Sequence, residues 1–186
     1  MAFRKRFEPR LFTSAEVEVA SGISQDMQRD WRRRQFLPSH ERKHGRWHPL
    51  EVAFALTMKS LNDDGLPPAR CVQAAAQAAP SVLWCALEAF DRRAWRIVGP
   101  KPATDWYQAI LTDDRYVKEY EEVTGISISK LVRFALLFSS GDVVPTGDLA
   151  SAVEESTEAT GHFLKLESLG ALLVQRAGWL IQVDVE

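Results

Sequence analysis

The spacing of apolar residues divides the chain into a helical first half and a mixed second half. Phe12 and Val17 bracket Thr13-Ser14-Ala15-Glu16, a capping box in which Thr13 caps a helix, Glu16 reaches back and Phe12 staples onto Val17. This helix runs through Ala20, and Gly22 takes the left-handed conformation that ends it. A second helix opens at once, with Ser24 as N-cap and Pro38 as stop. At about 100° per residue, Ile23, Met27 and Trp31 fall on one side of it, and Gln25, Gln28, Arg29, Arg32 and Arg33 on the other. Asp30 lies beside the apolar seam, four residues before Arg34, at ion-pair spacing. Two short helices joined by so tight a glycine turn predict a helix-turn-helix. The alternative is an ordinary amphipathic surface helix.

Ser39 to Trp47 is too polar for a core and returns through Gly45 to one aromatic, which predicts a hairpin wing with a basic tip anchored by Trp47. A helix follows with Val52, Leu56 and Leu61 near one face, and Pro49 in its first turn. Pro67-Pro68 opens an alanine-rich helix ending near Ala79, Pro80-Ser81 starts another to about Phe90, and Trp95 to Val98 reads as a strand. Gly99-Pro100-Lys101-Pro102 is a rigid break, and Asp105 to Thr124 predicts two short helices. From Leu131 the grammar is strand (to Phe138), strand (Val143-Val144), helix (Asp148 to about Glu158), strand (Phe163 to Leu166), helix (Glu167 to Ala177, closed by Gly178) and strand (Trp179 to Val185). That order predicts a small mixed sheet with helices on one side, so the fold class is α+β.

Composition and charge then narrow the chemistry. With 186 residues and 46% hydrophobic content, the chain can bury one good core or two small ones, and two domains are expected. Residues 1–50 hold 11 Lys/Arg against 6 Asp/Glu, and the remainder 12 against 19, so a basic head sits on an acidic body. Polyanion binding is thus expected in the head, with a protein partner possible for the body. Met1 to Arg10 has cations but no apolar run of signal-peptide type, and no stretch approaches the roughly 18 apolar residues of a spanning helix. A cytoplasmic protein is expected. Arg4, Lys5, Arg6 and Arg10 read either as a flexible arm for the minor groove or as an inert tail. Cys71 and Cys85 lack any partner spacing and read as buried thiols. His40-Glu41-Arg42-Lys43-His44 spells a zinc-protease pattern. It follows a proline, precedes a glycine and has no apolar residue to back a helix, so no metal site and no enzyme is expected from it. No phosphate loop, catalytic carboxylate pair or Ser/His/Asp set stands elsewhere, and no cofactor is expected.

Phe12-Thr13, Glu16, Gly22-Ile23-Ser24, Arg29, Trp31, Phe36-Leu37-Pro38, Gly45-Arg46-Trp47, Glu51-Val52, Leu61 and Gly65-Leu66 follow the order and spacing of a known pattern. Over about residues 11–78 the chain resembles the MerR-like winged helix-turn-helix domain. The resemblance implies a DNA-binding regulator with Arg29 on the recognition helix and Arg46 on the wing. Asp30 stands where that family usually has a tyrosine, and the family's long dimerising helix is not evident. The amides and guanidiniums of the second helix suit base edges and phosphates. The candidate DNA-binding residues are Ser24, Gln25, Gln28, Arg29, Arg32 and Arg33 on that helix, with Arg42, Lys43 and Arg46 on the wing. The expected organisation is a basic arm (1–10), a DNA-binding domain (11–79), a connector (80–103) and a mixed α/β domain (104–186) that oligomerises or senses an effector. A homodimer is expected, joined through the Val82–Phe90 helix or an edge of the C-terminal sheet. The function expected is sequence-specific regulation of transcription on double-stranded DNA. The alternative is an excisionase-like or phage-type architectural adaptor in recombination, packaging or replication.

Overall fold

The structure is a computed structural model and describes residues 5–38, 45–88, 92–99, 118, 121–122, 132–138, 143–154 and 161–185. Strand β1 (Lys5–Pro9) leads into helices α1 (Ser14–Ser21) and α2 (Gln25–Arg33), then α3 (Pro49–Asp63) and α4 (Pro68–Glu88). A short 3-10 turn at Arg92–Ala94 precedes β2 (Trp95–Val98). Further along come β3 (Phe134–Phe138), β4 (Val143–Thr146), α5 (Leu149–Glu154), β5 (Gly161–Lys165), α6 (Leu166–Ala177) and β6 (Ile181–Val185). The α+β class therefore stands. Of the two helices expected within 105–124 only residues 118 and 121–122 are described, and these are helical, while Pro100-Lys101-Pro102 of the expected break fall outside the described residues.

Pro80 does not break its helix. A proline inside a helix removes one backbone hydrogen bond and is unfavourable by about 3 kcal/mol relative to alanine. Here α4 runs through it, because Ala78, Ala79, Ser81, Val82 and Leu83 on either side are all buried. Tertiary packing outweighs the local penalty. Of the Val82–Phe90 helix, expected as one of two places for a dimer interface, Val82, Leu83 and Leu87 are part of this core, and Phe90 lies outside the described residues.

The alanines of α4 allow close neighbours, and α4 packs between α3 and α6. Closest of all is Gly170 of α6, where an added Cβ would lie 2.6 Å from the Ala86 nitrogen and 2.8 Å from the Cys85 Cβ. No side chain fits there. Trp95 Nε1 donates to the Leu87 carbonyl at 3.0 Å and fastens β2 to the end of α4.

The last strands do not form the one mixed sheet expected of them. β3 lies between β4 and β5, antiparallel to both, with Leu136 opposite Val144 and Phe163. β6 instead joins β1 and β2, antiparallel to the first (Phe7 opposite Val183) and parallel to the second (Ile97 opposite Val183). Apolar alternation sets which way side chains point, not which strand lies alongside. Residues 5–9 are thus a paired strand rather than a flexible arm. One hydrophobic cluster takes in Phe7, Val17, Trp31, Leu56, Leu83, Leu173 and Val183, so the core does not divide at the boundary expected within residues 79–103.

Candidate nucleic-acid interface

The helix pair is built by local hydrogen bonds. The Thr13 N–H donates to Glu16 Oε2 at 2.7 Å and the Glu16 N–H to Thr13 Oγ1 at 3.3 Å, closing the capping box at the start of α1. At the other end Gly22 has φ 80° and its N–H donates to the Glu18 carbonyl at 2.8 Å. The Ser21 hydroxyl donates to the Val17 carbonyl at 2.7 Å and accepts from the Ile23 N–H at 3.2 Å, stiffening the turn from inside. Ser24 then caps α2 by accepting from the Met27 N–H at 3.2 Å.

Gln28 is not on the outer face. It is buried, and its amide donates to the carbonyls of Ser14 at 2.9 Å and Ile23 at 3.0 Å, tying α2 to both ends of α1. Ile23 precedes the cap and is not helical, so it does not define the face of α2. Centred on Met27 and Trp31 alone, the apolar seam takes in Gln28. Arg32 is also displaced from the free face: its guanidinium stacks on the Trp47 ring at 4.4 Å, with Nε and Nη2 buried and without a hydrogen-bond partner. Burial holds its pKa below the usual arginine value, opposed by the nearby Glu51 carboxylate. Arg32 therefore fastens α2 to the segment entering α3.

What remains exposed on α2 is Gln25, Asp26, Arg29 and Arg33, with Ser24 just before it and Arg34 just after. Arg29 Nη1 meets Asp26 Oδ1 at 2.8 Å, and Asp30 meets both Arg33 Nη2 at 2.6 Å and Arg34 Nε at 2.9 Å. Hydrogen bonding from Arg33, then Arg34, holds the Asp30 carboxyl below its ordinary range. Gln25 Nε2 donates to Glu18 Oε2 at 3.2 Å. Arg46 is exposed beside Trp47, which is itself fully buried and exchanges backbone hydrogen bonds of 2.9 Å with Phe12. Arg42, Lys43 and the His40–His44 stretch lie outside the described residues.

Arg10, open in sequence between a minor-groove arm and an inert tail, is a clamp. It donates to Glu16 Oε1 at 2.7 Å and to the carbonyls of Ala177 at 2.6 Å and Trp179 at 3.3 Å, with its guanidinium 4.5 Å from the Phe12 ring. The start of α1 is thereby held to the end of α6. Nothing in the sequence marks those carbonyl partners, which lie more than 160 residues away. Cys71 and Cys85 are free and buried, and burial pushes both thiols up to about 11. Among the described residues no group of His, Cys, Asp and Glu gathers as a metal site, and no helix is long and apolar enough to cross a membrane. Comparison with protein-family models and with curated proteins returns no match for this chain.

Proposed function

We propose that the chain is a sequence-specific regulator of transcription, a MerR-like winged helix-turn-helix protein that acts on double-stranded DNA in the cytoplasm as a homodimer. The observation that carries this reading is the orientation of α2. Gln28 and Trp31 are buried and fix the helix from behind, which leaves Gln25, Arg29, Arg33 and Arg34 turned to solvent. Arginine and glutamine are the side chains suited to base edges in the major groove. Their carboxylate partners do not withdraw these arginines from solvent, and exposed ion pairs are worth only about 0–1 kcal/mol. Arg46, beside the Trp47 that Arg32 stacks on, supplies a further cation next to the helix.

Selection of genomic fragments by the purified full-length protein tests the proposal. Recovery of promoter-proximal fragments that share one two-fold symmetric site is the expected result. Uniform recovery of all fragments overturns sequence specificity. Clustering at integration, packaging or origin sites instead identifies an architectural adaptor.

A further inference from the structure

The exposed face of α2 is not simply basic. Two carboxylates, Asp26 and Asp30, stand among its arginines, and a face made only to grip phosphate would gain nothing from them. Their positions differ. Asp30 is only 35% exposed and draws in Arg33 and Arg34 toward the C-terminal end of the helix. Asp26 lies in the first turn, 90% exposed, and holds the 74% exposed Arg29 one turn on, at 2.8 Å.

Resting on the DNA-binding reading above, we infer that Asp26 is a specificity-determining residue that orients Arg29 for a guanine. The atoms support this. Asp26 occupies Nη1 of Arg29, which leaves the Nε and Nη2 edge, two parallel N–H donors, for O6 and N7 of guanine. An arginine held by a carboxylate also loses less rotamer freedom on binding than a free one. The same carboxylate repels phosphate oxygens, so the pair disfavours any register that sets Arg29 on the backbone. Asp26 therefore lowers non-specific affinity while sharpening base choice.

The test is selection from a randomised duplex library by the full-length protein, as wild type, Asp26→Asn and Arg29→Ala, followed by titration of the winning site and its guanine-substituted forms. Wild type is expected to retrieve one strongly preferred guanine per half-site, whose replacement weakens binding roughly 5- to 150-fold. Arg29→Ala should lose that preference. Asp26→Asn should cut the discrimination at least severalfold and raise affinity for non-specific duplex. Unchanged guanine discrimination in Asp26→Asn overturns the assignment alone. Absence of any enriched sequence with wild type overturns the DNA-binding reading, and this inference with it. Circular dichroism on each variant establishes that the exposed substitutions leave the fold intact.

Discussion

Glu16 joins two parts of the molecule through one carboxylate. The Thr13 backbone N–H, and after it the Arg10 and Thr13 side chains, outweigh burial and hold its pKa down from 4.5 to about 2. A depressed carboxylate pKa stabilises the fold above the unfolded value and loses that contribution as pH falls through the folded one. Thermal stability supplied by Glu16 should therefore be complete above about pH 4.5 and fade toward pH 2. The melting temperature of Glu16→Gln, compared with wild type across that window, measures it: the gap should close as pH drops. A gap independent of pH would show that the charge contributes nothing. On the neighbouring helix, Gln28 and Arg33 separate structure from recognition. Gln28→Ala leaves two backbone carbonyls without their donor and should cost about 1–3 kcal/mol in urea unfolding. Arg33→Ala removes an exposed pair, so stability should move by less than about 0.5 kcal/mol while DNA affinity falls. The reverse pattern would exchange their roles.

Among the elements, α4 and α6 set the tolerance of the core. Their axes come so close at Gly170 that Gly170→Ala must push the Ala86 and Cys85 backbone aside, overpacking that should cost about 1–3 kcal/mol by chemical denaturation. A stabilised variant, as helix propensity alone demands, would show that the two helices can part freely. Sequence reading located α1, α2, α3, α6 and most strands because each carries its own punctuation: Thr13 and Glu16, Gly22 and Ser24, Pro49, Gly178. It erred where the deciding partner was distant in sequence. Pro80 looks like a boundary until the burial of both its flanks is known, and β6 looks like a neighbour of β5 until β1 claims it. The exposure of Gln25, Arg29 and Arg33 was legible from the helical period alone, although Gln25 reaches back to Glu18 of α1. The placement of Gln28 and Arg32 was not, because their partners are a carbonyl on α1 and an indole fifteen residues downstream.

For the molecule as a whole, the question is whether the α1–α2 helix pair can stand without the rest. The basic charge of residues 1–50 and the helix break expected after Ala79 suggest a separable head, but the packing joins it to the body at three places. β1 takes β6 as its partner, Arg10 is bound by carbonyls at the end of α6, and α4 continues past Ala79 to Glu88. A fragment ending at Ala79 keeps only part of α4 and loses the buried side chains of Leu83, Leu87, Leu166, Leu173, Ile181 and Val183. Fully burying one such side chain is worth roughly 1.5–3 kcal/mol. Domains are stable by only about 5–15 kcal/mol in total, so this loss matches or exceeds the whole margin. The fragment is therefore expected to show no cooperative thermal transition and to bind duplex DNA without sequence preference, whereas the full chain melts in one step. Scanning calorimetry and titration against the selected site decide it. A fragment that melts cooperatively and keeps wild-type affinity would establish the helix pair as an autonomous reader, with Arg10 and β1 dispensable to it.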